Sequence, residues 1–159
     1  MSERSTQHDT FVIERTYDAP PARVFNAWAE PRAKARWFAD PDEREAKFEL
    51  DFRVGGREIN RGGPPGGPIY TYEARYQDIV LDERIIYTYD MHLGDKRISV
   101  SLATVELEPA GAGTRLIFTE QAVFLDGLDN RAQREAGTRD LLEKLDAALR
   151  REPAKHVKR

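Results

Sequence analysis

Cysteine is absent from this chain of 159 residues. Its absence excludes a disulfide scaffold, a thiolate-bound zinc or iron–sulfur site and a cysteine nucleophile. Long apolar runs are missing as well: no stretch approaches the ~18 consecutive apolar residues that span a bilayer. Residues 1–10 also lack the apolar segment of a secretory signal. The sequence therefore predicts a cytoplasmic protein that does not insert into a membrane.

An excess of charge of one sign is also lacking. The chain has 25 Lys and Arg residues against 28 Asp and Glu residues, which gives a formal net charge of -3 at pH 7. Because nucleic-acid-binding domains usually present a strongly basic face, this balance predicts no nucleic-acid partner. The length fits one domain. We place that domain at residues 10–150, with polar tails at 1–9 and 151–159.

The beginning of the chain predicts one strand and two short helices. Residues 11–17 are rich in β-branched and aromatic residues, which is typical of a strand. Pro20 and Pro21 end this strand and suit the first turn of a helix. Pro31 ends that helix, because proline disfavours α geometry in the residue before it. A second short helix follows over residues 32–38.

From residue 46 the apolar residues alternate with polar ones, which predicts further strands. We place these strands at 46–52, 57–60, 69–80, 84–92, 96–108 and 114–124. The connections are mostly short and contain turn residues, so the strands form an antiparallel meander. The Gly- and Pro-rich segment 62–68 is predicted to be a loop and a flap at the rim of a cavity.

The last element, residues 128–150, has an apolar stripe at helical spacing. Gly137 lies inside it, where glycine costs about 1 kcal/mol relative to alanine. A single long helix needs a large apolar surface to lie on. The sequence therefore predicts an α+β fold in which a curved antiparallel sheet of seven strands wraps around the C-terminal helix, with two short helices after the first strand.

Four motifs carry a resemblance to a known family. They are Ala-Pro-Pro-x-x-Val-Phe-x-Ala-Trp ending at Trp28, Arg-Trp-Phe ending at Phe38, Val54-Gly-Gly-Arg57, and Thr119-Glu-Gln-x-x-Phe-Leu-Asp-Gly127. Together they resemble the SRPBCC (START-like) superfamily, and more narrowly the family named for the activator of heat-shock-protein-90 ATPase homologue. The resemblance covers roughly residues 10–150 and implies a helix-grip fold with a deep cavity between sheet and helix.

The resemblance also implies a choice of functions. Members of the superfamily bind lipids, polyketides, sterols or other apolar molecules, some relatives are cyclases or hydrolases, and many bacterial members have no assigned activity. The founding co-chaperone carries a separate N-terminal domain that stimulates the chaperone ATPase. Ten residues before the first strand cannot supply that domain, so a chaperone partner is not our first expectation.

Glu120 is a carboxylate on an otherwise apolar strand face that includes Leu116, Phe118 and Phe124. Burying an ionised carboxylate is costly without partners. We therefore expect Glu120 to be paired, to have a raised pKa, or to lie near a wet cavity mouth. One interpretation is a polar anchor or general acid/base; the other is a salt bridge to an arginine.

Tyrosines and one histidine are the other candidates for a site. Tyr72 and Tyr76 share a strand face with Tyr70, and Tyr87 and Tyr89 share a face of the next strand. Such side chains suit the wall of an amphipathic ligand site, and they equally suit cross-strand packing.

His92 and Asp90 lie two residues apart on one strand and could form a carboxylate–imidazole pair, or could be solvated residues beside a turn. No Gly-x-Ser-x-Gly motif supports a hydrolase triad.

The acidic segment 126–130 lacks the ligand spacing and closing glutamate of an EF-hand loop. We interpret it as the start of the last helix, with Asp126 or Asp129 accepting backbone N–H bonds. We expect no metal and no cofactor.

The leading hypothesis is a protein that binds an apolar or amphipathic, lipid- or polyketide-like molecule between sheet and C-terminal helix. The alternatives are a cyclase- or hydrolase-like enzyme with Glu120, His92 or a tyrosine as acid/base, and a chaperone-interacting module. A homodimer is left open. The side chains expected on the cavity wall are Trp28, Trp37, Phe48, Tyr72, Tyr76, Tyr87, Tyr89, Phe118, Glu120 and Leu141.

Overall fold

The computed structural model describes residues 4–151. The elements in chain order are β1 (Thr6–Tyr17), α1 (Pro21–Ala29), α2 (Pro31–Phe38), β2 (Arg44–Leu50), β3 (Arg57–Gly63), β4 (Tyr70–Val80), β5 (Arg84–Leu93), β6 (Lys96–Ala110), β7 (Gly113–Leu125) and α3 (Arg131–Arg151). The predicted helix-grip fold is confirmed: seven strands form one sheet, and two short helices follow the first strand.

The sheet is antiparallel throughout, in the order β1-β7-β6-β5-β4-β3-β2. Helix α3 buries Leu142, Leu145 and Leu149 in the core, as its apolar stripe predicts. The hydroxyl of Tyr17 donates to the carbonyl of Leu142 at 3.0 Å, which ties α3 to β1. The long helix is thus held against the inner face of the sheet.

Two predicted boundaries need correction. Strand β1 begins at Thr6 because residues 6–9 pair with residues 122–125 of β7, so the expected N-terminal tail at 1–9 is wrong for these four residues. Helix α3 begins at Arg131 because the side chain of Asn130 accepts the backbone N–H of Gln133 at 2.9 Å and caps the helix. The expected C-terminal tail, apart from Arg151, and residues 1–3 lie outside the described residues.

Strand β3 extends into the segment predicted to be a loop, and ends at Gly63. A Cβ atom at Gly63 would lie 2.1 Å from the carbonyl oxygen of Pro68, so only glycine allows the chain to close here. This close approach brings Gly62 and the start of β4 to one end of the sheet.

The two short helices form a corner held by their tryptophans. The rings of Trp28 and Trp37 meet edge to face with centroids 4.8 Å apart, and the Trp37 indole donates to the carbonyl of Ala27 at 2.9 Å. Glu30 caps α2 by accepting the N–H groups of Arg32 and Ala33. The corner therefore presents large aromatic side chains to the inner face of the sheet.

Candidate functional site

A cavity of about 510 Å³ lies between the helical corner, the inner face of the sheet and α3. This volume falls in the usual range for small-molecule sites. On α3 its wall is formed by residues whose spacing places them on one helix face: Gln133, Arg134, Gly137, Thr138, Leu141 and Leu142. An added Cβ at Gly137 would meet nothing within 4 Å, so space remains open beside this wall.

The structure brings eight of the ten side chains expected at the cavity to its wall. These are Trp28, Trp37, Tyr72, Tyr87, Tyr89, Phe118, Glu120 and Leu141. Alternation along β4 and β5 explains the tyrosines, because residues two apart on a strand face the same side. Strands β4 and β5 and the helical corner thus give the cavity a predominantly aromatic wall.

Phe48 and Tyr76 lie elsewhere, which corrects the expectation for both. Phe48 is half-buried on edge strand β2 and lines a separate surface depression between α2 and β2. Tyr76 shares the face of Tyr72 but lies four residues farther along β4, about 13 Å at the usual strand rise. Its hydroxyl donates to Oε1 of Glu58 at 2.6 Å, away from the cavity wall.

The wall tyrosines also pack against one another. The ring centroids of Tyr72 and Tyr89 are 4.7 Å apart, and those of Tyr87 and Tyr89 are 6.1 Å apart. The same tyrosine side chains therefore pack across the strands and line the cavity, so both interpretations of these residues hold. Burial raises the pKa of Tyr72 and of Tyr87 well above the ordinary value, so both hydroxyls keep their protons at neutral pH.

Glu120 is fully buried at the polar end of the cavity. Its Oε2 accepts hydrogen bonds from the Tyr89 hydroxyl at 2.6 Å, the Ser101 hydroxyl at 2.7 Å and Nη1 of Arg134 at 3.2 Å. Oε1 has no hydrogen-bond partner among the described residues. Glu120 was expected to be paired, to have a raised pKa or to lie near a wet cavity mouth, and the structure shows that it is paired with an arginine.

Arg134 holds the rest of this polar network together. Its Nη2 donates to the Ser99 hydroxyl at 2.7 Å and to Oδ2 of Asp129 at 2.9 Å. The guanidinium therefore links α3 to β5, β6 and β7 and stands between two carboxylates. Burial, followed by the negative charge of Glu120, raises the pKa of Tyr89, so this hydroxyl remains a donor.

His92 does not join Glu120. Residues 87, 89 and 91 of β5 line the cavity, whereas His92 follows a register irregularity after Met91 and pairs with Arg97 of β6. Asp90 forms its ion pair with Arg97 at 3.3 Å, so the carboxylate–imidazole pair, one of the two interpretations of these residues, is not the contact that the structure shows. The two candidate acid/base groups are therefore not brought to one place.

A second buried ion pair lies behind the aromatic wall. Lys34 of α2 and Glu58 of β3 are both 0% exposed, and Nζ of Lys34 lies 2.8 Å from Oε1 of Glu58. The ammonium lies 4.2 Å from the ring centroid of Phe38 and 5.3 Å from that of Trp28. Burial lowers the pKa of Lys34, and the charge of Glu58 partly opposes this effect.

Sequence reasoning missed Arg134, Lys34 and Glu58. Arg134 could have been found by extending the stripe on α3 one turn before Thr138. Lys34 lies three residues before Trp37 on the buried face of α2, so helical spacing held a signal there too. Charged side chains are almost never fully buried unless they are paired, so a sequence pattern alone predicts that these three residues are exposed.

The acidic segment 126–130 precedes α3 and accepts backbone N–H groups, as expected, but the side chain that caps the helix is that of Asn130 and not that of Asp126 or Asp129. Oδ1 of Asp129 accepts from the backbone of Asn130, and Oδ1 of Asp126 accepts from that of Ser5. Over residues 4–151 we find no cluster of three His, Asp or Glu side chains that could hold a metal ion.

Comparison with known proteins identifies the family. Residues 18–150 match the family described as Activator of Hsp90 ATPase homolog 1-like protein. The chain belongs to this family. No curated protein matches it. Within residues 4–151, none of the helices combines the length and apolarity needed to cross a membrane.

Several solved structures are similar to this chain over most of its length. An uncharacterised protein from Rhizobium leguminosarum is 49% identical, with a TM-score of 0.89, over 94% of this chain and 99% of its own. The Mll3558 protein from Rhizobium loti is 51% identical, with a TM-score of 0.86, over 91% and 99%. Protein CV1439 from Chromobacterium violaceum is 25% identical, with a TM-score of 0.71, over 87% and 94%.

Proposed function

We propose that this protein binds an apolar or amphipathic small molecule in the cavity between its sheet and α3. The observation that carries the proposal is the open volume of about 510 Å³ beside a wall rich in aromatic side chains. A protein interior is normally packed without voids of this size, because unfilled space forfeits dispersion contacts. A ligand with ring systems would recover those contacts and bury apolar surface against Trp37, Tyr72 and Tyr87.

A buried donor on the cavity wall supports an amphipathic ligand. The Trp28 indole N–H is buried without a hydrogen-bond partner in the described part of the chain. Buried polar groups are normally satisfied, and an unmade bond costs about 1–3 kcal/mol. A ligand oxygen that reached this N–H would form the missing bond.

The acid/base alternative has less support than binding. Glu120 is engaged by three donors, and the titratable one among them, Tyr89, keeps its proton at neutral pH because burial and the charge of Glu120 raise its pKa. General acid–base chemistry needs a group within hydrogen-bond reach of the transferred proton and with a suitable pKa. The wall tyrosines have raised pKa values, which makes them poor bases at neutral pH.

The test fills the cavity from its helical wall. Gly137→Leu extends a side chain from a position that lines the cavity, while Ala136→Leu adds the same side chain at the neighbouring position outside the lining, and both positions are exposed. The probe is 1-pyrenemethanol, and the readout is tryptophan fluorescence, because the chain has two tryptophans and both line the cavity.

We expect the wild type and Ala136→Leu to bind the probe with affinities within about twofold of each other, because neither alters the cavity. We expect Gly137→Leu to weaken binding at least tenfold while remaining folded, since leucine is also a better helix former than glycine. Equal binding by all three proteins would place the probe outside the cavity and contradict the proposal.

A further inference from the structure

The charged side chains on the cavity wall are acidic in balance. Within residues 4–151 they comprise three carboxylates and two guanidinium groups: Glu43, Glu120, Asp129, Arg61 and Arg134. At the buried end of the cavity, where Glu120, Asp129 and Arg134 lie, such charges act on a ligand more strongly than they would in water. The charges on the wall therefore influence whether a neutral, a negative or a positive ligand binds.

Both cations on the wall already have carboxylate partners. Nη1 of Arg134 lies 3.2 Å from Glu120 and Nη2 lies 2.9 Å from Asp129. Nη2 of Arg61 lies 2.6 Å from Oε1 of Glu45, in an exposed pair at the rim. A ligand carboxylate entering the cavity would have to compete with one of these carboxylates for its counter-ion.

Lys34 does not offer a counter-ion either. It is fully buried, its Nζ lies 2.8 Å from Glu58, and it is separated from the cavity by the aromatic side chains it contacts. Breaking a buried ion pair leaves an uncompensated buried charge and is strongly unfavourable. An anionic ligand therefore gains no partner from this pair without a large loss.

Desolvation also disfavours an anionic ligand. A carboxylate that leaves water for an apolar site loses its hydration and must recover it through partners in the site. At the polar end it would lie beside the buried carboxylate of Glu120. A hydroxyl or carbonyl group has a much smaller desolvation cost and carries no charge for that carboxylate to repel.

We propose that the cavity accepts uncharged ligands and rejects carboxylates, free fatty acids included. This inference rests on the proposed binding function and specifies the charge class of its ligand. Selection arises because each cation on the described wall is paired while the wall keeps an excess carboxylate.

The experiment compares two probes with the same ring system, 1-pyrenemethanol and 1-pyrenecarboxylic acid, at pH 7. We expect the full-length wild type to bind the alcohol at least tenfold more tightly than the acid. Asp129→Asn keeps a hydrogen-bond acceptor for Arg134 and removes one negative charge from the wall. In that variant we expect the preference for the alcohol over the acid, taken as the ratio of the two affinities, to fall at least fivefold.

Asp126→Asn is the matched control, because Asp126 is exposed, lies three residues earlier and is not part of the wall. It should alter neither affinity. Equal affinities for the two probes in the wild type, or tighter binding of the acid, would overturn the charge selection and leave the binding function standing. Binding of neither probe would overturn the binding function itself and this inference with it.

Discussion

Arg134 connects the cavity wall to the core through a single guanidinium group. It donates to Tyr89, Ser99 and Ser101 and forms ion pairs with Glu120 and Asp129, although only 8% of its surface is exposed. A buried charge of this kind is tolerated only when its partners replace the lost hydration. The same residue thus neutralises the carboxylates of the polar end and attaches the first turns of α3 to the sheet.

Replacement of Arg134 by methionine should therefore destabilise the fold. The substitution keeps most of the aliphatic volume but leaves Glu120 buried without its cation, so we expect a loss of about 3–5 kcal/mol in the free energy of unfolding. Urea denaturation measures this loss. Arg139→Met, which breaks an exposed ion pair with Glu135 on the same helix, is the control and should cost less than about 1 kcal/mol.

The double variant Arg134→Met/Glu120→Gln separates charge from packing. Removing the carboxylate should restore a good part of the lost stability, because the uncompensated charge is gone. If the double variant is as unstable as the sum of its two single variants, the network contributes through packing and our electrostatic account of Arg134 is wrong.

At the scale of elements, the fold followed from local patterns. Prolines at the ends of β1 and α1, period-2 alternation in the strands and the stripe on α3 are local signals, and they were sufficient for the element order and the sheet. The polar start of β1 escaped prediction, because residues 6–9 belong to an edge strand whose side chains are mostly exposed and whose pairing with β7 is distant in sequence.

The site was predictable only in part, for a related reason. Alternation identified which tyrosines share a face, but it could not show where along the strand the cavity ends, so Tyr76 was included with Tyr72. The partner of Glu120 lies on another element, and no local pattern pairs it with Arg134. Long-range pairing of buried charges is set by tertiary packing, which single-sequence reasoning does not contain.

At the scale of the whole molecule, the buried tyrosines link stability to alkaline pH. Burial raises the pKa values of Tyr17, Tyr72, Tyr76, Tyr87 and Tyr89. Above pH ~10 the unfolded chain releases these phenolic protons while the folded chain retains them, so the folded state binds more protons and stability falls as pH rises. Each tyrosine contributes about 1.4 kcal/mol per pH unit in that range.

Lys34 acts in the opposite sense, because its pKa is lowered in the folded state. Below the ordinary lysine pKa the folded state therefore binds fewer protons than the unfolded state, and this group makes stability rise with pH. One lysine cannot offset five tyrosines. We therefore expect a steep loss of stability above pH ~10, with tyrosinate absorbance of the buried residues rising together with the loss of secondary structure. Titration of these tyrosines in a protein that stays folded would contradict the account.

The central claim is that the cavity between sheet and α3 is a ligand-binding site. Its most direct test is an NMR titration of the wild type with 1-pyrenemethanol that measures intermolecular nuclear Overhauser effects. We predict contacts between the probe and the rings of Trp37, Tyr72 and Tyr87 on the wall, and none with the exposed side chains of Val12 and Leu81. Contacts confined to exposed apolar residues, with the wall resonances unchanged, would contradict the claim.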